Sequence, residues 1–195
     1  MNVAAPALRK ICTSPVNYWL AFAFDAGTAL VLPSLGLYYL DEWPDGAVPT
    51  AINALFLFGM GVFVFTFIEY AMHRWLYHAR TGFAAESHHE HHVSPRGTSS
   101  MPCACGSIGA AILWGLTMPA LGKAGASFFI GGMAIGYLYY GVLHHLEHHV
   151  RVTSVPGRWP RERWKVHAVH HGWLDRNFGV TTSLWDHVFG TYRKI

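Results

Sequence analysis

Charge is scarce in this chain. Aspartate, glutamate, lysine and arginine make up 13% of its 195 residues, against roughly a quarter in an ordinary soluble domain. The apolar group reaches 52% and the aromatics 15%, a balance that cannot dress a water-facing surface and points to the bilayer. The net charge is only +3, with no lysine and arginine run, which excludes the electrostatic footprint of a nucleic-acid partner. Cysteine is also sparse. Cys12, Cys103 and Cys105 are too few and too oddly spaced for a disulfide framework or a four-ligand zinc site, so they are read as bland buried thiols. The opening MNVAAPALRK lacks an apolar core followed by a small-residue cleavage site, so no cleaved signal peptide is expected and the first apolar run should stay.

Long apolar runs are what the chain has instead. Val16 to Leu40 would reach roughly 37 Å as a helix, enough to cross a hydrocarbon core of about 30 Å, although Asp25 and Pro33 interrupt it and invite a kink. Ala51 to Met72 is cleaner, with Glu69 near its end. Ser107 to Leu121 is short and contains Pro119, as a tilted or partly inserted helix would. Ala124 to Leu143 restores full length, and its GGMAIG stretch lets a neighbouring helix approach closely. The reading is an all-α integral membrane protein: about four transmembrane helices in two hairpins, near 16–40, 51–72, 107–121 and 124–143, beneath a histidine-rich helical cap from 73–105 and 144–195, the whole forming one domain.

Basic residues stay on the cytoplasmic side of a membrane. Arg9 and Lys10 precede the first run. Arg74, Arg80 and Arg96 fill the middle segment, and Arg151 to Lys194 supply the rest. The first connector carries Asp41, Glu42 and Asp45 with no basic residue, and the second has Lys123 alone. Both termini and the cap are therefore expected in the cytoplasm, in a bacterial inner membrane. Every histidine, from His73 to His187, falls on that side.

The histidines are the chemistry. ESHHEHHV at Glu86 to Val93 contains His88, His91 and His92 in the pattern H-x-x-H-H, and the pattern recurs at His167, His170 and His171. Positions i, i+3 and i+4 share a helix face. A pair precedes each triplet: His73 and His78 after the second run, His144 and His148 after the fourth. Five residues turn an ideal helix about 140° from coincidence, so the helix end at His73 must distort or the two rings must serve different metals. His145, His148 and His149 also spell H-x-x-H-H, and spacing leaves His144 and His145 as alternatives. Imidazole suits iron, zinc, copper or nickel, and ten such ligands suit two metal ions rather than one closed zinc site. Interrupted spacing and internal position argue against a tag, and two matching triplets against a loose metal-buffering tract.

The series EYAMHRWLYH, SHHEHHV, HHLEHH and HAVHH, closed by NFGVTTSLWDHVFGT, resembles the fatty acid hydroxylase superfamily, which includes sterol desaturases and carotenoid hydroxylases. The resemblance spans roughly Glu69 to Thr191. It implies a membrane oxidase whose histidine boxes hold two metal ions, iron in the working enzyme and zinc as an alternative occupant on purification. Carried over box by box, it implies His73, His78, His88, His91, His92, His144, His148, His167, His170 and His171 as ligands, favouring His144 over His145. It further implies dioxygen, a lipid substrate hydroxylated at an unactivated C–H bond, and an external electron donor, ferredoxin-like or a cytochrome with its reductase, because no haem-binding domain fits within these residues. Desaturation on the same scaffold is the alternative.

Other residues carry weaker signals. Glu69, one turn before His73, either orients that ring or Arg74, or faces headgroups. Asp186 braces the last histidine box or serves a turn. His89, His145, His149 and His187 are treated as spare. VPGRWPRERWK at Val155 to Lys165 interleaves tryptophan with arginine, as a headgroup-zone segment beside a lipid entrance would. A zinc hydrolase would need an open metal position and a base such as Glu90 or Glu147. A metal-storage or transport protein would need more ionisable groups within the spans than Asp25 and Glu69.

Overall fold

A computed structural model describes residues 4–42, 47–154 and 156–194, and among these the regular structure is entirely helical. Asp45 and Val155 lie outside the described residues. The helices are α1 (Ala4–Cys12), α2 (Pro15–Tyr38), α3 (Ala47–Ala71), α4 (Phe83–Val93), α5 (Cys105–His149), α6 (Arg158–Gly172) and α7 (Leu184–Val188). Among the described residues three helical stretches are long and apolar enough to cross a membrane, Pro15–Tyr38, Thr50–Tyr77 and Cys105–His149.

The expected third and fourth runs both lie in α5. Gly122, at φ 67° and ψ 172°, breaks it, a backbone state that glycine alone reaches without strain. Trp114 Nε1 donates to Ser127 Oγ at 2.9 Å, and a Cβ built on Gly106 would sit 2.8 Å from the Tyr137 ring. In a straight helix residues 106 and 137 would be about 46 Å apart. The chain therefore folds back at Gly122 into two arms, 105–121 and 123–149. The second arm runs past the expected Leu143, so His144 and His148 sit on its last turns. Other boundaries moved less: α2 ends at Tyr38, with Leu40 in a 3-10 turn, and α3 begins at Ala47.

The chain divides into two compact units. One comprises 19–65 and 101–138, the apolar middle of the long helices. Its core joins Ala29 and Leu32 of α2 to Ile130 and Ala134 of α5, with Trp114 and Leu138 packed on them. The GGMAIG stretch allows the close approach its composition suggested. Gly131 lies against Pro33, Gly136 against the Phe65 ring, and a Cβ at Gly132 would collide with the Phe58 carbonyl. Thr28 and Ser34 donate to the carbonyls of Phe24 and Leu30 four residues back, so their hydroxyls need no water, as lipid requires. Leu30, Leu55 and Leu116 point outward, each at least 70% exposed, the solvation expected of helices that face acyl chains.

The other unit comprises residues up to Tyr18, 66–100 and 139–195, and it contains all 14 histidines. The N-terminal segment was not foreseen there. Arg9 pairs with Glu90 of α4, and Asn17 Nδ2 donates to Ser100 Oγ at 2.9 Å. The segment expected in the headgroup zone is helical from Arg158 onward, and its Arg163 is buried. Gly157, at φ 90°, turns the chain into that helix.

Candidate metal centre

The spacing of His73 and His78 is resolved by a change of helix type. Met72–Tyr77 forms a π-helical turn, in which the His78 amide donates to the His73 carbonyl at 3.2 Å, an i→i+5 bond. One wider turn brings residues five apart onto one face. The two rings are 5.2 Å apart, centroid to centroid.

The imidazoles then sort into two groups in which one nitrogen from each ring lies within 4.8 Å of all the others: His73, His78, His88, His92 and His170 in one, and His91, His148, His167 and His171 in the second. The H-x-x-H-H spacing explains the partition. In α4 the i and i+4 rings, His88 and His92, enter the first group while His91 between them enters the second. In α6 the assignment reverses, with His167 and His171 in the second group and His170 in the first. The groups adjoin, His92 and His171 having centroids 4.3 Å apart. His144 lies beside the second group, its ring centroid 4.7 Å from those of His91 and His148 and 4.9 Å from that of His167. His145 points elsewhere, its Nδ1 bonded to the Tyr18 hydroxyl at 2.8 Å. All ten expected rings are thus gathered. The four treated as spare are outside both groups: His187 bonds the Ser183 carbonyl and stacks on Tyr192, His149 stacks on His145, and His89 is exposed.

The donor set fits a cation. His88 Nε2 lies 3.0 Å from His73 Nε2, 3.2 Å from His78 Nε2 and 2.9 Å from His92 Nε2, and a nitrogen with one proton or one lone pair cannot satisfy three such neighbours. His73 Nδ1 donates to the Phe178 carbonyl at 2.5 Å and His170 Nδ1 to the Arg176 carbonyl at 2.7 Å. Those bonds fix the tautomer and turn both Nε2 lone pairs into the cluster. Burial also keeps the rings neutral, which is the ligating form. It pulls His78 and His171 down to about 4, His91 and His170 to about 3 and His92 to about 2; His88 and His167 are also held well below the ordinary value, by burial first and by neighbouring rings second.

Behind the rings lies the NFGVTTSLWDHVFGT segment, whose purpose was not legible in its sequence. Asp186 is fully buried and accepts from the amides of Phe178 at 2.8 Å and Gly179 at 2.9 Å and from Thr191 Oγ1 at 2.7 Å. Glu69 is buried rather than facing headgroups. It accepts from the Val180 amide at 2.6 Å, the Thr181 amide at 3.0 Å and the Thr181 hydroxyl. Neither carboxylate touches a histidine of the clusters. Both carboxylates bond the backbone stretch 178–181, whose Phe178 carbonyl accepts from His73 Nδ1, so the hydrogen bonds of Asp186 lead to the first box. Asn177, at φ 53°, uses its side chain to bond both backbone groups of Arg193. Arg163 donates to Ser183 Oγ at 2.6 Å and to the Gly179 carbonyl; burial lowers its pKa, opposed by Glu147, Asp186 and Glu69. Arg163 and Asn177 were missed by sequence reasoning; an arginine in a tryptophan-rich stretch looks like a surface anchor until the helix is built.

The fatty acid hydroxylase family model matches residues 58–191. The chain is 36% identical over 149 residues to the dihydroceramide fatty acyl 2-hydroxylase FAH1 of Arabidopsis thaliana, covering 68% of this chain and 58% of that one. It is 34% identical over 151 residues to the ceramide very long chain fatty acid hydroxylase SCS7 of Saccharomyces cerevisiae, covering 71% and 38%. A solved structure of full-length scs7p, with only the hydroxylase domain visible, superimposes with a TM-score of 0.73 at 28% identity, over 94% of this chain and 69% of that one. The chain spans little more than half the length of the plant relative. The family match covers the π turn, both histidine triplets and the carboxylate-braced segment behind them, and the chain belongs to the fatty acid hydroxylase family.

Proposed function

We propose that the protein is a membrane-bound oxidase that hydroxylates an unactivated C–H bond of a fatty acyl chain. The 2-hydroxylase and ceramide hydroxylase names of its relatives favour an acyl chain, hydroxylated beside its carbonyl, over a sterol or carotenoid. The reaction consumes the lipid, dioxygen, two electrons and two protons, and yields the alcohol and one water. The electrons come from an external ferredoxin-like or cytochrome partner. Residues 1–195 act as one membrane domain, with both termini and the histidine cap on the cytoplasmic side of a bacterial inner membrane, since every basic residue but Lys123 shares a unit with the histidines.

The observation that carries this reading is the pair of adjoining histidine clusters. His73, His78, His88, His92 and His170 would hold one metal ion. His91, His148, His167 and His171, with His144 alongside, would hold the second. Iron, the expected occupant, supplies the activation of dioxygen that no amino-acid side chain provides. The chain's own residues do the rest. Phe178 and Arg176 carbonyls aim two of the rings, Asp186 and Glu69 keep that backbone in place, and burial keeps the rings neutral. Trp159, exposed and stacked on Tyr139, suits the headgroup zone near a lipid entrance.

A hydrolase reading is disfavoured by the two glutamates it would need. Glu90 is engaged by Arg9, and Glu147 is sealed, with 2% of its side chain exposed, so neither is free to take a proton from an attacking water. The test is comparative mass spectrometry of membrane lipids from cells grown in air with the intact protein or with His170→Ala. A lipid that gains one oxygen only with the intact protein supports hydroxylation. One that loses two hydrogens makes it a desaturase, and no difference in a host supplied with acyl substrate and electron donor sinks the oxidase reading.

A further inference from the structure

Glu147 is a buried carboxylate that none of the roles above uses. It lies on the last turns of α5, between Leu146 and His148, and its side chain is 2% exposed. Neither of its oxygens has a hydrogen-bond partner among the described residues, and neither has His167 Nδ1. These unpartnered atoms face each other, Glu147 Oε2 lying 3.8 Å from His167 Nδ1. A buried carboxylate left unpaired is strongly unfavourable, and so is a buried ring N–H left without an acceptor. The terminal torsion of a glutamate is soft, and closing the gap by about 1 Å would make a normal bond.

The opposite edge of the His167 ring explains the pairing. His167 Nε2 lies 2.8 Å from His148 Nε2 and 3.1 Å from His171 Nε2, at the focus of the second cluster. A proton on Nδ1, accepted by Glu147, leaves the Nε2 lone pair pointing into that focus. His73 and His170 achieve the same in the first cluster through neutral backbone carbonyls. Glu147 differs in being a carboxylate, which in its ionised form raises the basicity of the ring it holds more than a carbonyl does. The buried Arg163 guanidinium, which interacts favourably with Glu147, Asp186 and Glu69, supplies the compensating charge.

We propose that Glu147 is a positioning residue for His167, and that it sets the metal affinity of the second histidine cluster without affecting the first. The proposal rests on the metal reading of the clusters. Because Glu147 is beside the focus and not in it, its loss should weaken one site selectively, where general damage to the fold would weaken both.

Zinc is the probe, since it is redox-inert and its release can be followed without turnover. The full-length protein in detergent is loaded with zinc, counted per chain, and challenged with excess chelator. Wild type should hold two zinc ions, released in two phases; His88→Ala and His171→Ala assign the phases to the first and second clusters. Glu147→Gln keeps the volume and an acceptor oxygen but removes the charge. It should accelerate the second-cluster phase about 10- to 100-fold and leave the other unchanged. Glu147→Leu should accelerate that phase further, and if Glu147→Leu fails to fold, Glu147→Gln decides alone. Added to His171→Ala, Glu147→Gln should not change the remaining phase. Equal acceleration of both phases, or of neither, overturns the proposal. A wild-type protein that binds no zinc, indistinguishable from His88→Ala and His171→Ala, would instead show that the metal reading had failed.

Discussion

Replacing Asp186 with alanine isolates the brace behind the first histidine cluster. The carboxylate is fully buried and accepts three hydrogen bonds, from the Phe178 amide, the Gly179 amide and the Thr191 hydroxyl, at 2.7–2.9 Å. Asp186→Ala leaves those three donors facing a cavity. Each unsatisfied buried donor costs about 1–3 kcal/mol, and water entering the space offsets part of the sum, so a loss of about 3–5 kcal/mol is expected, at the upper end for single substitutions. Asp186→Asn preserves shape but must turn an amide N–H₂ toward one of the donors, so it should lose about 1–3 kcal/mol. The damage should reach the metal site through the Phe178 carbonyl, which accepts from His73 Nδ1. Loss of an outer partner of this kind weakens metal binding about 10- to 100-fold. The assay is thermal unfolding in detergent, paired with zinc release from the first cluster. An Asp186→Ala protein with wild-type midpoint and wild-type zinc release would refute the reasoning, because it would mean the segment 178–181 holds its place without the carboxylate.

Three further outcomes follow from other parts of the structure. His170→Ala should lower metal content and abolish hydroxylation, while His187→Ala, which removes a ring bonded to Ser183 and stacked on Tyr192, should do neither; elemental analysis and product assay read both. Gly132→Ala places a methyl against the Phe58 carbonyl, whereas Gly27→Ala meets nothing within 4 Å. Overpacking should cost the first variant at least about 1–3 kcal/mol, and helix propensity should leave the second unchanged or more stable by up to about 1 kcal/mol, as measured by unfolding midpoints. The metal-free protein should lose stability in acid. Burial lowers His78 and His171 to about 4 and His91 and His170 to about 3 from an ordinary 6.5, so below 6.5 the unfolded chain takes up protons that the folded one refuses. Unfolding midpoints of chelator-treated protein should therefore fall steadily from pH 6.5 to 4, and a flat profile across that window would contradict the burial of the rings.

Much of this was legible in the residues because the relevant physics is local. Apolar run length gave the helices to within a few residues, and the i, i+3, i+4 spacing of the triplets placed their rings on shared faces. The exchange of His91 and His170 between clusters was not legible, since it depends on how α4 and α6 face each other. The five-residue spacing of His73 and His78 signalled a distortion, and the structure supplies its form as a π turn. Gly122 was hidden because positive φ leaves no mark in composition. Asp186, Glu69 and Arg163 were open to interfacial or turn readings, and Glu147 to that of a hydrolase base, because a charge in a sequence reads as exposed until its partners, separated by up to 112 positions, are brought together. His144 and His145 were equivalent by spacing, and only the helix rotation that gives His145 to Tyr18 separates them.

If the histidine centre works as proposed, an oxygen atom from dioxygen enters a C–H bond of an acyl chain there. Membranes containing the iron-loaded protein, an electron donor and acyl substrate should be incubated under ¹⁸O₂ in ordinary water, with His170→Ala membranes in parallel, and the product lipid examined by mass spectrometry. One ¹⁸O is expected in the new hydroxyl group of the wild-type product, and no such product from His170→Ala. A hydroxyl oxygen drawn from water, or equal product from the variant, would contradict the proposed function.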